Sequence, residues 1–237
     1  MHCNNPMAKT RSKRYKAATA MVDKEKVYTI EDAVALVKKL PAPKFDQTVT
    51  LTFRMGVDPR QSDQMVRGTC PLPHGSGKDV RVLVFAEGEA ATEAKNAGAD
   101  IVGYENLIKE VLGGFMDFDA VIATPSAMSE VRKLGRQLGP RGLMPNPKTG
   151  TVTDDTAAAV KAVKAGRIDF KLDKNGNISA PIGKLSFEPN MLVENGKAVI
   201  DSVSAARPAT AKGIFILKGV LTATMVPGLK VDVSAWH

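Results

Sequence analysis

VRVLVFAEGEAATEAKNAGADIVGYENLIKEVLGGFMDFDAVIATP, residues 80–125, is the stretch on which the fold turns. Two of its segments, VRVLVFA at 80–86 and AVIATP at 120–125, are apolar runs without the polar alternation of a one-sided strand, so each is expected to be buried on both faces. Between them come a helical AEGEAATEAKNAG, a short Ile101-Val102 and a helical ENLIKEVLGGF, and a further helical segment follows residue 125. Strands and helices that alternate in this way predict a small parallel, Rossmann-like α/β sheet.

On both sides of this stretch the pattern changes. Upstream, TIEDAVALVKKL (29–40) places Ile30, Ala33, Val34, Val37 and Leu40 at helical spacing, with Thr29 as N-cap, Glu31 and Asp32 in the first turn, and Pro41 as the stop. Residues 48–55 then alternate, Val49, Leu51, Phe53 and Met55 on one face and Thr48, Thr50, Thr52 and Arg54 on the other, which is a half-buried strand. Downstream, Ile168, Phe170 and Leu172 alternate with Arg167, Asp169 and Lys171 ahead of an Asn175-Gly176 turn and a second strand with Ile178, Ala180 and Ile182, so a hairpin is expected. A helix with Leu192, Val193, Val199, Ile200 and Val203 and a strand over 215–225 complete the chain.

Both flanks therefore read as α+β with one-sided sheets. The economical arrangement is a discontinuous α+β domain from residues 1–75 and 167–237, with residues 76–166 inserted as the α/β domain. The chain would cross between them at Gly75-Ser76-Gly77 and Ala165-Gly166, and two adjacent crossings make a hinge of Gly75, Gly77 and Gly166.

The formal net charge is +8, and an excess of this size points to a polyanionic partner, nucleic acid first. No apolar run approaches the roughly 18 to 20 residues that span a bilayer, so no membrane partner is expected. Cys3 and Cys70 form no C-x-x-C pair and His2, His74 and His237 are far apart, which suggests neither a disulfide framework nor a metal site and fits a reducing cytoplasm. Residues 1–16 hold Lys9, Arg11, Lys13, Arg14 and Lys16 without an acid and read as a mobile basic arm. Met7 is a second plausible start, because residues 1–6 have no pattern of their own.

Enzyme chemistry finds little support. HGSGKD (74–79) lacks the first glycine of a P-loop, has Asp79 where Ser or Thr is needed, and precedes a strand instead of opening a helix. The segment after VFA is EGEAAT, whose acids would repel a pyrophosphate, so the parallel sheet is expected to be a scaffold without a cofactor. No nucleophile, base and orienter can be assembled. The densest feature is instead VRKLGRQLGPRGLMPNPKTGTVT (131–153), with Arg132, Lys133, Arg136, Arg141 and Lys148, glycines and prolines, and no acid, which suggests a stiff loop presenting cations to phosphates.

Within it, LGRQLGPRGLMPNPKTGTV (134–152) resembles the signature of the large-subunit ribosomal protein L-one family. SKRY (12–15), KFDQTV (44–49), GVDPRQSDQMVRGT (56–69), LPHGSGK (72–78), FMDFDAVIATP (115–125) and KAGRIDF (164–170) resemble the same family in order, so nearly the whole chain is covered. The resemblance implies a cytoplasmic, ribosome-bound protein of the mobile stalk that binds a junction of large-subunit rRNA. It also implies action on deacylated exit-site tRNA and repression of the protein's own operon mRNA; the free chain is expected to be a monomer. By the same resemblance the rRNA face comprises Lys44, Phe45 and Thr48, then Lys171, Asp173 and Lys174, and then Thr222, Thr224 and Met225. Two positions depart from the family: Val226 stands where T-M-G-P has glycine, and Ser179 where many members have histidine. Arg136, Arg141 and Lys148 are the candidates for tRNA or stalk contact.

Aromatic residues are only 5% of the chain and no RNP-type run occurs, so recognition by shape of folded RNA is expected over base stacking. A general nucleic-acid chaperone is the alternative.

Overall fold

The computed structural model describes residues 11–23, 25–211, 213–234 and Trp236. Residues 1–10, with Lys9, His2 and Cys3, and His237 lie outside the described residues. In chain order the helices and strands are α1 (Lys13–Ala20), α2 (Ile30–Lys39), β1 (Thr48–Met55), β2 (Arg67–Cys70), β3 (Val82–Phe85), α3 (Glu89–Asn96), β4 (Ile101–Gly103), α4 (Glu105–Leu112), β5 (Ala120–Ala123), α5 (Met128–Val131), α6 (Gly135–Arg141), α7 (Thr156–Lys164), β6 (Ile168–Lys171), β7 (Asn177–Lys184), α8 (Pro189–Ala205), β8 (Ile216–Ala223) and β9 (Leu229–Val231). The expected mixed α/β and α+β class is the observed one.

The middle elements behave as their apolar runs require. β4, β3 and β5 form a parallel sheet in that order. Side chains that alternate along β3 and β5 enter different cores: Leu83, Phe85, Val121 and Ala123 pack with Leu107, Val111, Leu134 and Leu138, while Val82, Val84 and Ile122 pack with Ala94, Val160 and Val163. Helices thus cover both faces, which is why these strands carry no polar positions.

The terminal elements form a separate core drawn from residues 18–72 and 168–231. Its main sheet has the order β7-β1-β8-β9 and is antiparallel throughout. Val49, Leu51, Phe53 and Met55 of β1 are buried beneath α2 and α8, while the alternate side chains face away. Thr29 caps α2 by accepting from the Asp32 amide at 3.1 Å.

Two expectations need correction. The strands around Asn175-Gly176 do turn back at that point, but they do not pair as a hairpin: β6 pairs with β2, and β7 pairs with β1. The turn bonds, Gly176 N–H to Asp173 C=O and Asp173 N–H to Asn177 C=O, close the bend, and the buried faces of the strands then send them to different sheets. The basic arm, in turn, is helical from Lys13, because the Ser12 hydroxyl accepts from the Tyr15 amide and nucleates α1.

The two core regions are joined where the chain crosses twice. Gly75, Gly77 and Gly166 all have positive φ, and a Cβ on Gly166 would lie 2.5 Å from the Gly75 Cα. Asn195 of α8, completely buried, holds the first crossing: its Oδ1 accepts from the His74 amide, and its Nδ2 donates to the carbonyls of Gly75 and Ile182. Asn195→Ala leaves three backbone groups without partners, and a loss of about 2 to 4 kcal/mol in denaturant unfolding is expected.

The middle elements should contribute acid sensitivity. The Val82 amide, followed by Lys164, holds the Asp100 carboxyl below its ordinary range, and Lys78 does the same for Asp119. A carboxylate whose pKa is depressed by folding contributes stability above its unfolded value, and that contribution is lost as pH falls through the depressed folded value. Thermal unfolding should therefore move down below about pH 4, and Asp119→Asn should flatten that slope.

Candidate nucleic-acid interface

The outward face of the four-stranded sheet follows from the register. Thr52 of β1 lies between Ser179 and Val220, Thr50 between Pro181 and Thr222, and Thr48 opposite Lys184; Arg54 closes the far end between Asn177 and Lys218. The Thr52 and Ser179 hydroxyls are 3.1 Å apart, and the Thr48 hydroxyl accepts from Lys184 Nζ at 3.1 Å. The result is a ledge of threonine and serine hydroxyls bordered by cations. Hydroxyls of this kind both donate and accept, so they can serve phosphate oxygens and ribose 2′-OH groups alike.

At one end the ledge meets a stitched corner. Thr224 donates from its amide and its hydroxyl to the Thr48 carbonyl, at 3.1 and 3.3 Å. The buried Gln47 side chain donates to the Thr224 carbonyl from beneath. Lys44 and Phe45 precede β1 here, and both are exposed. Met225 follows with φ of 64°, and among the described residues it is the only one other than glycine at positive φ. Its side chain is 63% exposed, an unusual place for a methionine and an unusual backbone for any branched or long residue. Lys44, Phe45, Thr48, Thr222, Thr224 and Met225 are therefore brought together by the fold.

Val226 occupies a different environment. Its side chain is 9% exposed and belongs to the core, and its carbonyl accepts from the Thr222 hydroxyl. The left-handed backbone falls at Met225, one residue earlier, so the valine sits at Val226 without positive-φ strain.

Lys171, Asp173 and Lys174 are exposed, but they stand at the opposite end, beside Arg54 and Asn177. Six residues of β1 separate the two ends, about 20 Å. The sheet face links these groups; they do not form one cluster. Sequence reading passed over Gln47, and it placed Arg14 in the basic arm without its contact to the Met225 loop. Arg14 of α1 donates to the Met225 carbonyl at 3.5 Å, and its Nη1 is buried without a partner. SKRY was visible as a motif, but that it packs at the Met225 loop depends on a contact 211 residues away.

The segment 131–153 is less loop-like than its glycines and prolines suggest. It is helical through Arg141, because Leu134 and Leu138 anchor it in the core, and Gly142 ends it in the left-handed conformation. Arg136 and Arg141 are exposed, and Lys148 lies in the turn Pro147–Thr149, with its side chain outside the described residues. Lys133 is paired with Glu130 at 2.6 Å.

Other chemistry finds no assembly. Among the described residues there is no group of three or more His, Cys, Asp or Glu side chains able to hold a metal ion, and no helix long and apolar enough to cross a membrane. Burial pushes the Cys70 thiol above its ordinary pKa, which makes it a packing residue and a poor nucleophile.

Comparison with known proteins agrees with this geometry. Residues 36–227 match the model of the family described as "Ribosomal protein L1p/L10e family". The chain is 59% identical to the large ribosomal subunit protein uL1 of Bifidobacterium longum subsp. infantis, over 94% of this chain and 96% of that protein. It is 54% identical to uL1 of Kosmotoga olearia, over 94% and 96%, and 53% identical to uL1 of Thermobifida fusca, over 95% and 96%. A family match spanning the strands of the ledge and the inserted elements, with relatives this similar over nearly their whole length, means that the chain belongs to the ribosomal protein L1p/L10e family and is a ribosomal protein, not an enzyme.

Proposed function

We propose that this chain is the large-subunit protein that grips a folded junction of rRNA with the outer face of the sheet β7-β1-β8-β9. The observation that carries the reading is the corner where Thr48, Thr224 and Met225 are stitched together beside Lys44 and Phe45. The hydroxyls meet ribose and phosphate, Met225 and Phe45 pack on sugar or base surfaces, and the lysines neutralise the backbone. Lys171, Asp173, Lys174 and Ser179 extend the contact along the ledge.

On this reading residues 1–75 and 167–237 act as the rRNA-binding domain, and residues 76–166 as a second domain hinged at Gly75, Gly77 and Gly166. The second domain contacts exit-site tRNA or the stalk through Arg136, Arg141 and Lys148, and so assists release of deacylated tRNA on the cytoplasmic ribosome. A face shaped for an rRNA junction would also accept a similar fold in the operon's own mRNA, which gives a route to translational repression.

A filter-binding titration with an rRNA fragment checks the electrostatic part. With about 5 to 8 phosphate contacts, affinity should fall by about two to four powers of ten between 50 and 200 mM salt. A flat slope contradicts it. Footprinting that shows no preference for one structured junction over random duplex would favour the chaperone reading.

A further inference from the structure

A cavity of about 430 Å³ opens between the two core regions, next to the linker crossing, and reaches Thr48 at the sheet corner. Its charged lining is unequal: Arg67, Lys78, Arg167 and Lys184 against Asp119 and Asp169. Asp119 is committed, to Lys78 at 2.5 Å and to Arg81 at 3.7 Å. Among the described residues Lys184 enters no ion pair and donates to a neutral partner, the Thr48 hydroxyl. Arg67 and Arg167 enter no ion pair among the described residues, and the Arg167 Nη2 is buried with no hydrogen-bond partner at all.

An orphaned guanidinium nitrogen is costly, because its hydration is lost and nothing replaces it. The strand register explains how the cations come to share a wall. Arg67 and Asp169 project from the outer face of the pair β2 and β6, and Arg167 precedes β6 by one residue and shares the parity of Asp169. Asp169 is a single carboxylate against two arginines there; burial pushes its carboxyl above the ordinary range, against the opposing pull of Arg167 and Arg67. The Arg167 guanidinium lies beside Gly150, where an added Cβ would meet its Nη1 at 3.4 Å.

We propose that this cavity is an oxyanion site in which Arg67, Arg167 and Lys184 bind a tetrahedral phosphate group. Guanidinium groups match two phosphate oxygens at once, and the third cation and the Ser76 side of the linker complete the ring. Arg67, Arg167 and Lys184 all come from the terminal core region, and Ser76 and Lys78 from the start of the inserted elements line the same cavity. The group could arrive as free inorganic phosphate or as a phosphodiester of RNA. The inference does not depend on the sheet face being the rRNA contact.

The test is calorimetric titration of the full chain with inorganic phosphate and, separately, with the dinucleotide UpU, at constant ionic strength. Saturable binding of either probe is expected, weakened roughly tenfold or more in Arg167→Gln and in Arg67→Gln, and unchanged in the control Lys109→Gln, an exposed cation of α4 away from the cavity. Binding of phosphate alone assigns the site to the free anion; binding of UpU alone assigns it to the RNA backbone. Failure of both probes to bind, or binding that Arg167→Gln and Arg67→Gln leave intact while circular dichroism shows both variants folded, overturns the proposal.

Discussion

Replacing Thr224 and Met225 together with alanine is expected to lower affinity for an rRNA junction about 30- to 100-fold, equivalent to roughly 2 to 3 kcal/mol. The thermal midpoint should hardly move, and the reason lies in how the corner is held. Thr224 keeps its amide bond to the Thr48 carbonyl whatever its side chain, and Gln47 still supports the loop from below. Met225 is 63% exposed, so truncating it removes almost no core packing. What disappears is one hydroxyl and one apolar surface at the centre of the proposed contact, where fully desolvated groups contribute most. Equilibrium binding beside a melting curve measures both halves of the expectation.

Gly166→Ala should show the reverse pattern: a large loss of stability at a residue that no ligand touches. The added Cβ would lie 2.5 Å from the Gly75 Cα and 2.7 Å from the Ser76 amide nitrogen, both backbone atoms that cannot rotate away. The φ of +95° adds strain for any side chain. Together these are expected to cost about 2 to 4 kcal/mol, a fall in midpoint of about 5 to 15 °C for a chain of this size. Gly114→Ala separates the two causes. Gly114 has φ of +105° but nothing within 4 Å of the added atom, so only about 1 kcal/mol should be lost there. Equal losses at both positions would mean that the close crossing of the linkers is not what constrains Gly166.

Much of this was legible in the residues alone. The alternation over residues 48–55 gave both the burial and the outward hydroxyls of β1, because a strand half covered by helices must alternate. The runs 80–86 and 120–125 announced strands buried on both faces, for the opposite reason. What stayed hidden depended on distance. The partition of β6 and β7 between two sheets is set by which strand each meets, and Asn175-Gly176 encodes only the bend between them. Asn195 looks like any polar residue in a helix until its amide is found bonded to the linker 120 residues earlier. Arg14 and Gln47 support the Met225 loop across similar separations. In 131–153 the glycines and prolines suggested a loop, yet Leu134 and Leu138 had the spacing of a helix and their burial prevailed. At Val226, where the family has glycine, the left-handed residue is its neighbour Met225, and a valine fills the core position at no backbone cost.

Crosslinking the chain to a large-subunit rRNA fragment, followed by mass spectrometry of the peptides that carry nucleotide adducts, asks most directly where the RNA lies. Adducts on residues 44–54 and 218–225 are the predicted result, with those at 171–179 along the same face. Adducts confined to residues 132–148, with none on the sheet, would contradict it.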